Sequence, residues 1–396
     1  MAVALFAADE INAAGHAPAA GVRVEITQAD AIPPRLAGAW SDLAAAAAEP
    51  NSFAEPWFIA ASLRHFCSEA PPRLLQVWEG QLLLGVMPLE IADTYGRLPL
   101  RFVQNWRHDQ SFLGTPLVRA GAERAFWTAA LRALDQARWA PGLFHLRAVV
   151  ENGPVHRGLA DAARDLGRGC AVVHRLQRAL LDSDLSPRDY YERHVRKKKR
   201  KEIARLRNRL GELGPIRASV LADARDLPDW CETFLALEKA GWKGSNGSAL
   251  GCEAHKAAFF RAALDEAWAA GRLQFRRLDV GERPLAMLVN FLAPPGSFSF
   301  KTAFDEEFAR FSPGVLLQLE NLDVLERRDI AWMDSCAAED HPMIDSLWAE
   351  RRTLVRITVR LTGLRRGLIF ALARSVEKAG EATRALRNRE VERNPG

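Results

Sequence analysis

Residues 297–320 hold the pattern best suited to chemistry: an apolar strand, an acidic and then basic turn, and a helix that opens at Ser-Pro-Gly. The first backbone amides of a helix have no helical partner, and the helix dipole favours negative charge there. Ser312 is a suitable N-cap, Pro313 suits the first helical position, and Gly314 leaves room for a ligand. The segment therefore predicts an anion site, although an ordinary capped helix explains it equally well.

Three residues are candidates for a catalytic role. Asp334 ends a predicted strand beside this turn, where it could serve as a base or simply cap a turn. Lys301 is predicted to point away from Phe300 and Thr302, where it could meet an acyl donor or an acidic substrate, or extend to solvent. Glu238 lies on a helix just before the sequence Gly-Trp-Lys-Gly.

Candidate substrate contacts are spread over both halves of the chain. Trp242 could form a cleft wall and Lys243 an anion contact, although a core tryptophan after a helix end is the simpler interpretation. Asp305 follows the strand that carries Lys301. His108 and Asp109 could face a cleft between the halves, or form a solvated loop pair.

Composition excludes several classes of protein. The 396 residues are 48% hydrophobic and 26% charged, which is typical of a globular chain long enough for two domains. Five scattered cysteines indicate neither a disulfide framework nor a zinc ribbon, and they suit a reducing compartment. The nine histidines form no metal-ligand spacing, so we expect no metal. No stretch of the sequence is long and apolar enough to predict a transmembrane helix.

Apolar periodicity and turn residues predict the same order of elements in each half. The first half has a hairpin over 73–91, extended chain to 118, a helix at 122–137, a strand at 143–150, a helix at 155–166 and a strand at 171–181. The second half has helices at 229–238 and 253–270, strands at 273–280, 284–292 and 298–304, the helix from Ser312, a strand at 330–333 and a helix near 343–351. The pattern in each half therefore predicts an antiparallel meander followed by a crossover helix, a strand and a second helix.

Residues 196–201 are all basic, and Ile203, Leu206 and Leu210 follow at helical spacing. This pattern predicts a helix with one narrow apolar stripe. A solvated charged helix is the usual explanation. The alternative is attraction of phosphate groups from coenzyme A, tRNA, anionic lipid or another polyanion.

Several motifs of the second half occur in a recognisable order. They are Glu-Lys-Ala-Gly-Trp-Lys-Gly at 238–244, Gly-Ser-Ala-Leu at 247–250, Phe-Lys-Thr-Ala-Phe-Asp at 300–305, Phe-Ser-Pro-Gly at 311–314, Asp-Ser at 334–335 and Leu-Trp-Ala-Glu-Arg-Arg at 347–352. As an ordered set they resemble the BioF2-like (CelD/BcsL-type) acetyltransferases of the GNAT superfamily, which are related to the FemAB peptidyltransferases. The resemblance covers residues 176–352 and is looser in the first half, at 105–109 and 115–118.

The resemblance implies an α/β fold, with a mixed α+β sheet, made of tandem GNAT-like (acyl-CoA N-acyltransferase) domains. It implies acyl-CoA, such as acetyl-CoA, as co-substrate. The diphosphate would lie on the loop before the crossover helix, formed here by Arg310, Phe311, Ser312, Pro313, Gly314 and Val315. The pantetheine arm would lie where strands 298–304 and 330–334 splay apart. The loop has Ser-Pro where the family usually has glycines, and no tyrosine follows the last strand to protonate a departing thiolate.

We therefore expect a flexible leader at 1–21, a first GNAT-like domain at 22–181 without cofactor, a second at 182–355 with a basic helix at 194–210, and a basic helix and tail at 356–396. The leading function is acyl transfer from acyl-CoA to an amine or hydroxyl of a small molecule, glycan or peptide, in the cytoplasm, with envelope or exopolysaccharide metabolism as its setting. Two alternatives stay open. The basic helix favours a Fem-type transferase that uses aminoacyl-tRNA, and the missing tyrosine favours a catalytically inactive double-GNAT scaffold.

Overall fold

A computed structural model of the chain describes residues 21–67, 70–96 and 98–393, without the side chains of Trp242, Lys243 and residues 379–393. The predicted leader therefore lies outside the described residues, apart from Gly21. The first half runs in the order β1 (Val22–Gln28), α1 (Pro34–Ala45), α2 (Pro56–Phe66), β2 (Arg73–Glu79), β3 (Leu82–Ala92), β4 (Phe102–Asn105), β5 (Leu117–Val118), α3 (Glu123–Gln136), β6 (Phe144–Val150), α4 (Pro154–Asp165) and β7 (Cys170–Asp182).

The second half begins with two helices and then repeats the order of the first. Its elements are α5 (Pro187–His194), α6 (Lys197–Gly211), β8 (Ile216–Val220), α7 (Leu227–Ala240), α8 (Trp242–Ser245), α9 (Ala254–Ala269), β9 (Leu273–Val280), β10 (Arg283–Ala293), β11 (Gly296–Phe304), α10 (Pro313–Glu320), β12 (Trp332–Asp334), α11 (Pro342–Asp345), β13 (Glu350–Val359) and α12 (Leu364–Arg393). A 3₁₀ helix, Glu306–Phe311, lies between β11 and α10.

Local sequence signals set many of these boundaries. Proline stands in the first turn of α1, α2, α4, α5 and α10, where its missing N–H costs no helical hydrogen bond. The hairpins β2–β3 and β9–β10 turn at Gly80 and Gly281, whose φ values of 57° and 60° suit glycine. These positions confirm the predicted hairpins.

Within the described residues, thirteen strands form one sheet in the order β1-β2-β3-β4-β6-β13-β7-β12-β11-β10-β9-β8, with β5 paired to β3. The pairs β4–β6 and β11–β12 are parallel, and the other strand pairs described are antiparallel. Each half thus contains one parallel pair joined by a crossover helix, α3 or α10. This arrangement confirms the predicted mixed sheet.

The two halves exchange their last strands. β13 of the second half pairs with β6 and β7, and β7 of the first half pairs with β12 and β13. Val355, Ile357 and Val359 of β13 are buried in the core of the first half, whereas Leu181 of β7 belongs to the core of the second half. In the order β6-β13-β7-β12, strands of the first and second halves therefore alternate across the centre of the sheet.

A second contact between the halves lies on one face of the sheet. Helix α2 packs against α9, and their side chains Phe58 and Phe259 meet with ring centroids 5.5 Å apart. Trp57 of α2 lies 4.9 Å from Phe291 of β10. These rings belong to one aromatic core that includes Phe298 and Phe300 of β11. The first half therefore covers the face of β11 that carries Phe298 and Phe300.

Two sequence predictions differ from the structure near the end of the chain. The helix expected near 343–351 is only the single turn α11, and residues from Glu350 onward form β13. A strand is favoured there because Leu354, Val355 and Ile357 are buried between two neighbouring strands. The boundary expected after residue 355 consequently falls inside a strand that completes the first half.

Candidate functional site

The centre of the candidate site is an opening between β11 and β12. The two strands pair in parallel from Gly296 opposite Trp332 to Phe298 opposite Asp334, where β12 ends. β11 continues to Phe304 without β12, still paired with β10, and its chain then enters the 3₁₀ helix and α10. The parallel pair lies where the sequence predicted it, and the strands part beyond Phe298.

A bulge in β11 changes which side chains face the first half. Val289 of β10 lies opposite Lys301, and the next residue, Asn290, lies opposite Ser299, so Phe300 is the extra residue. An extra residue shifts the alternation of side chains by one position. The prediction that Lys301 points away from Phe300 was therefore wrong, because both contact the same face.

The surroundings of Lys301 confirm this orientation. Its Nζ lies 5.8 Å from the ring centroid of Phe112 in the first half and 5.7 Å from that of Phe300. Thr302, by contrast, contacts Gln318 of α10 on the opposite face, with Gln318 Nε2 3.4 Å from its Oγ1. Lys301 thus lies at the contact between the two halves, with its side chain 13% exposed.

The structure brings two of the predicted catalytic residues together. Lys301 Nζ lies 4.0 Å from Glu238 Oε1 of α7, and the Glu238 side chain is almost fully buried. Glu238 Oε2 accepts a hydrogen bond of 2.8 Å from the amide of Leu250. Glu238 therefore joins α7, β11 and the segment of the Gly-Ser-Ala-Leu motif. A recess of about 20 Å³ beside Glu238 has room for about one water molecule.

Asp334 is placed differently from the predicted base. It is fully buried and binds the guanidinium groups of Arg178 and Arg352, with N–O distances of 2.6 and 3.0 Å. Its Oδ1 also accepts the amide of Cys336 at 2.9 Å. Burial alone would raise the pKa of Asp334, but the two guanidinium groups outweigh burial and hold the pKa below its usual value. This carboxylate is therefore enclosed by its two arginine partners and bonded within a turn.

The pair with Arg178 connects the halves at the strand exchange. Arg178 lies on β7, is almost fully buried, and also donates to the backbone carbonyl of Phe112 at 2.9 Å. Arg352 of β13 lies over the ring of Trp332 at 3.8 Å. Sequence reasoning did not identify Arg178, because its partner Asp334 is far away in the chain. The available signal was an arginine directly before the apolar run Ala179-Leu180-Leu181.

The turn before α10 does not match the predicted diphosphate site. Ser312 has left-handed backbone angles, φ 53° and ψ 53°, and its side chain makes no cap hydrogen bond. Its carbonyl instead accepts the amides of Val315 and Leu316 at 3.0 and 3.1 Å. Pro313 has no N–H, which leaves the amide of Gly314 as the remaining donor of this turn.

Gly314 is itself covered by protein. A Cβ at this position would meet Met343 Sδ at 3.4 Å and Phe304 Cδ1 at 3.6 Å. Phe311, Pro313 and Val315 are buried as well. Ser312 is half-buried, and Arg310 is exposed with its guanidinium 4.8 Å from the ring of Phe311. Side chains from β11 and α11 therefore lie against the turn that the sequence predicted as an open anion site.

The basic helix lies beside this turn. α6 packs against the 3₁₀ helix that ends in Arg310 and Phe311. Ile203, Leu206 and Leu210 are buried, which confirms the narrow apolar stripe. The exposed cations of the helix and its N-cap are Arg196, Lys197, Lys198, Lys201, Arg205, Arg207 and Arg209. Arg207 binds Glu320 of α10 at 2.9 Å, and the remaining charge faces solvent near the opening.

The corresponding parallel pair of the first half, β4 and β6, is flanked by hydrogen-bonded polar groups of the chain. Asn105, at the end of β4, donates to the carbonyls of Gly114 and Arg147 at 3.0 Å and accepts the amide of Arg147 at 2.9 Å. At the start of α3 the carboxylate of Glu123 accepts the amide of Gly121 at 3.1 Å. The carboxylate of Glu123 thus binds the backbone amide that precedes α3.

Most of the other predicted substrate contacts have partners within the protein, and two of them lie among side chains that the structure does not describe. Asp305 accepts the amide of Glu307 and binds Arg283. His108 stacks on Phe66 at 4.0 Å, and burial lowers its pKa to about 3, so that the ring is neutral near pH 7.

Asp109 binds Lys256 of α9 at 2.8 Å and so faces the second half. The side chains of Trp242 and Lys243 lie outside the described residues. Among the described residues, no group of three or more His, Cys, Asp or Glu is arranged to hold a metal ion. None of the helices described is long and apolar enough to cross a membrane.

Comparisons with known proteins agree with this architecture. Residues 197–341 match the model of an acetyltransferase (GNAT) domain. The crystal structure of FemX matches 88% of this chain and 100% of its own, with a TM-score of 0.58 and 10% sequence identity. The C-terminal domain of a putative lysylphosphatidylglycerol synthetase from Agrobacterium fabrum matches 85% of this chain and 94% of its own, with a TM-score of 0.51 and 11% identity. No curated protein matches the sequence significantly.

Residues 197–341 thus match a GNAT domain, and the fold of the chain is similar to that of FemX. Within this GNAT-like fold, β11, α10 and β12 form the strand, crossover helix and parallel strand of the second half. β4, α3 and β6 form the same unit in the first half. The matched domain spans the basic helix, Glu238, Lys301 and the opening, whereas Arg178 and Arg352 lie outside it.

Proposed function

We propose that the protein is an acyltransferase, which moves an acyl group from a phosphate-bearing carrier to an amine or hydroxyl acceptor. The opening between β11 and β12 is the single observation that carries the proposal. It is the place where the strands of a GNAT-like unit part, and the bulge turns Lys301 toward the contact between the halves. The match to a GNAT domain supports acyl transfer as the reaction class.

In this proposal Lys301 stabilises negative charge during the reaction. The neutral acceptor attacks the acyl carbonyl, whose oxygen becomes an oxyanion. As the tetrahedral intermediate collapses, the bond to the carrier breaks, and the carrier leaves as a thiol or alcohol because the proton lost by the acceptor reaches it through solvent. An ammonium group held in apolar surroundings interacts strongly with such an oxyanion. Glu238 orients Lys301, since it lies 4.0 Å away and is itself fixed by the amide of Leu250. Asp334 instead joins β12 to β7 and β13.

The carrier's phosphates are proposed to bind the exposed cations of α6 and Arg310. The turn at 312–315 offers few donors because Pro313 has no N–H, the amide of Val315 is bonded, and Gly314 is buried. Lys197, Lys198 and Lys201 are exposed on the adjoining helix. Phosphates attract clustered lysines and arginines regardless of the rest of the ligand. Acyl-CoA and aminoacyl-tRNA share this chemistry.

The closed turn favours aminoacyl-tRNA as a second candidate donor. A compact CoA diphosphate would need the buried amide near Gly314, whereas a tRNA can spread its phosphates over a basic helix. The ordered motif set still supports the narrower assignment to BioF2-like acetyltransferases, with a small-molecule, glycan or peptide amine as acceptor. A catalytically inactive scaffold is the outcome if neither donor reacts.

One experiment separates these donors. The full chain is incubated with an amine library and either a set of acyl-CoA thioesters, read by free thiol release, or charged tRNA, read by transfer of the labelled amino acid. Turnover with one donor supports acyl transfer and identifies the carrier. Absence of both binding and turnover with every thioester and every charged tRNA would overturn the proposal.

A further inference from the structure

The C-terminal helix α12 is firmly attached along one face. Ala373 is fully buried, and Ile369 packs with it against Tyr95, Phe102 and Leu143. Arg366 donates to the carbonyls of Asp135 and Ala140 at 2.9 and 2.6 Å, at the end of α3. The first turns of the helix are therefore held in a fixed orientation on the first half.

The opposite face of α12 carries a row of exposed apolar side chains. Leu364 is 93% exposed, Leu368 73%, Leu372 52% and Val376 41%. Residues four apart lie on the same side of a helix, so these four form one continuous apolar stripe. Exposed leucines are normally scattered singly, and a contiguous apolar patch usually marks a contact surface.

Positive charge accompanies the stripe. Arg360, Arg365 and Lys378 are exposed at or next to it. Residues 360–378 contain five basic residues and one acidic residue, Glu377. Glu377 already binds Arg374 on the same helix. The surface around the leucines therefore carries a net positive charge.

We propose that this stripe docks the protein on an anionic membrane surface, with the leucines inserted at the level of the headgroups. Apolar side chains beside arginine and lysine are the combination that holds a helix in the interface of an anionic bilayer. A second copy of the chain fits less well. Two such helices packed antiparallel would bring Arg365 of one copy toward Lys378 of the other. Parallel packing would place each cation beside the same cation of the other copy, so like charges repel in both arrangements.

Vesicle sedimentation with the full chain tests the proposal. Wild-type protein is expected to sediment with vesicles made of equal parts phosphatidylglycerol and phosphatidylcholine, and to stay in solution with pure phosphatidylcholine. The triple variant Leu364→Ser/Leu368→Ser/Leu372→Ser should lower the apparent affinity for the anionic vesicles about tenfold or more. Arg365→Glu/Lys378→Glu should also weaken binding, most strongly at low salt.

The matched control is Leu82→Ser/Leu213→Ser, which alters two leucines of 44% and 55% exposure elsewhere. It should bind vesicles like wild type, and far-ultraviolet circular dichroism should show all variants folded. Equal binding by wild type and the triple variant would overturn the proposal. So would a wild type that binds neither vesicle. Sedimentation velocity without lipid adds a further test: a wild-type dimer that the triple variant converts to a monomer would assign the stripe to a second copy.

Discussion

At the scale of single residues, Lys301 is the side chain whose position depends most on a local irregularity. Without the bulge at Phe300 it would point toward α10, and Glu238 would have no cation 4.0 Å away. The bulge adds one residue to β11 and reverses the alternation that the sequence suggests. A candidate oxyanion-stabilising group thus results from one extra residue in a strand.

We expect Lys301→Met to lower kcat/KM for acyl transfer about 100-fold, because the variant removes a positive charge aimed at the developing oxyanion. Glu238→Gln should have a smaller effect, about tenfold, since the amide of Leu250 can still be bound. Steady-state kinetics, with the donor that the turnover experiment identifies, measures the effects of both variants. Lys239→Met, an exposed lysine on the same helix, serves as the control. Wild-type kinetics of Lys301→Met would remove the residue from the mechanism.

Asp334 leads to a prediction about stability. Asp334→Asn leaves Arg178 and Arg352 buried without their counter-charge, which should lower the free energy of unfolding by about 3–5 kcal/mol. Urea denaturation measures the loss. The control is Asp329→Asn, whose carboxylate forms an exposed pair with Arg327 and should cost less than about 1 kcal/mol. Similar losses in the two variants would argue against a central role of the buried pair.

Residue types alone identified only part of this site. Glu238 and Lys301 were recognised from their motifs, and the structure brings them together. The closed turn at Gly314 was not predictable from its sequence, because Met343 and Phe304 that cover it come from other elements. The same holds for Arg178, whose partner lies more than 150 positions away. Tertiary contacts therefore decided what local sequence left open.

At the scale of elements, the start of α4 binds a buried carboxylate, Glu49, from the loop after α1. Glu49 accepts the amide of Val155 at 3.1 Å, and burial raises its pKa from 4.5 to about 7. Between these values the folded protein holds a proton that the unfolded chain has released. Stability linked to Glu49 is therefore present at low pH and is lost as the pH rises through about 7.

Glu49→Gln should consequently resemble wild type at pH 5 and be more stable at pH 8, by about 1–3 kcal/mol. The amide oxygen of glutamine can still accept from Val155. Thermal or urea unfolding at the two pH values checks the prediction, with the exposed Glu79→Gln as a control. A stability difference that is the same at both pH values would show that protonation of Glu49 is not involved.

The helix α6 gives a prediction about donor binding. Lys198→Glu/Lys201→Glu should raise the KM for a phosphate-bearing donor about tenfold and make it less dependent on salt, because two phosphate contacts are lost. Arg132→Glu/Arg138→Glu makes the same charge change on exposed residues in and just after α3 of the first half. An equal effect of both variants would point to net charge rather than to α6.

Most elements that carry the opening were predictable, for physical reasons that act locally. The hairpins turn at glycines with positive φ, and α10 begins at a proline, so the sequence signals both boundaries. β13 carried no such mark, because residues 350–359 are stabilised by two distant strands rather than by neighbours in the chain. The domain boundary was placed near residue 355 because the local sequence gave no sign of a strand at residues 350–359.

At the scale of the whole molecule, the exchanged strands make the two halves depend on each other. Without β13, the first half would lose Val355, Ile357 and Val359 from its core and would expose an edge on β6. Without β7, the second half would lose Leu181 and the pairing partner of β12. Arg178 on β7 and Asp334 on β12 would also be separated. An unpaired strand edge beside exposed apolar residues promotes aggregation.

We therefore expect residues 1–182 or 183–396, expressed alone, to be insoluble or to unfold without a cooperative transition. Co-expression of the two fragments should yield a soluble one-to-one complex, since the break lies between β7 and α5 and leaves every strand intact. Size-exclusion chromatography and thermal unfolding measure both outcomes. Removal of residues 350–396 from the full chain should have the same effect as loss of a whole half, because β13 is central in the sheet. A first half that folds cooperatively by itself would show that the exchange is dispensable, and the two GNAT-like units would then be independent domains.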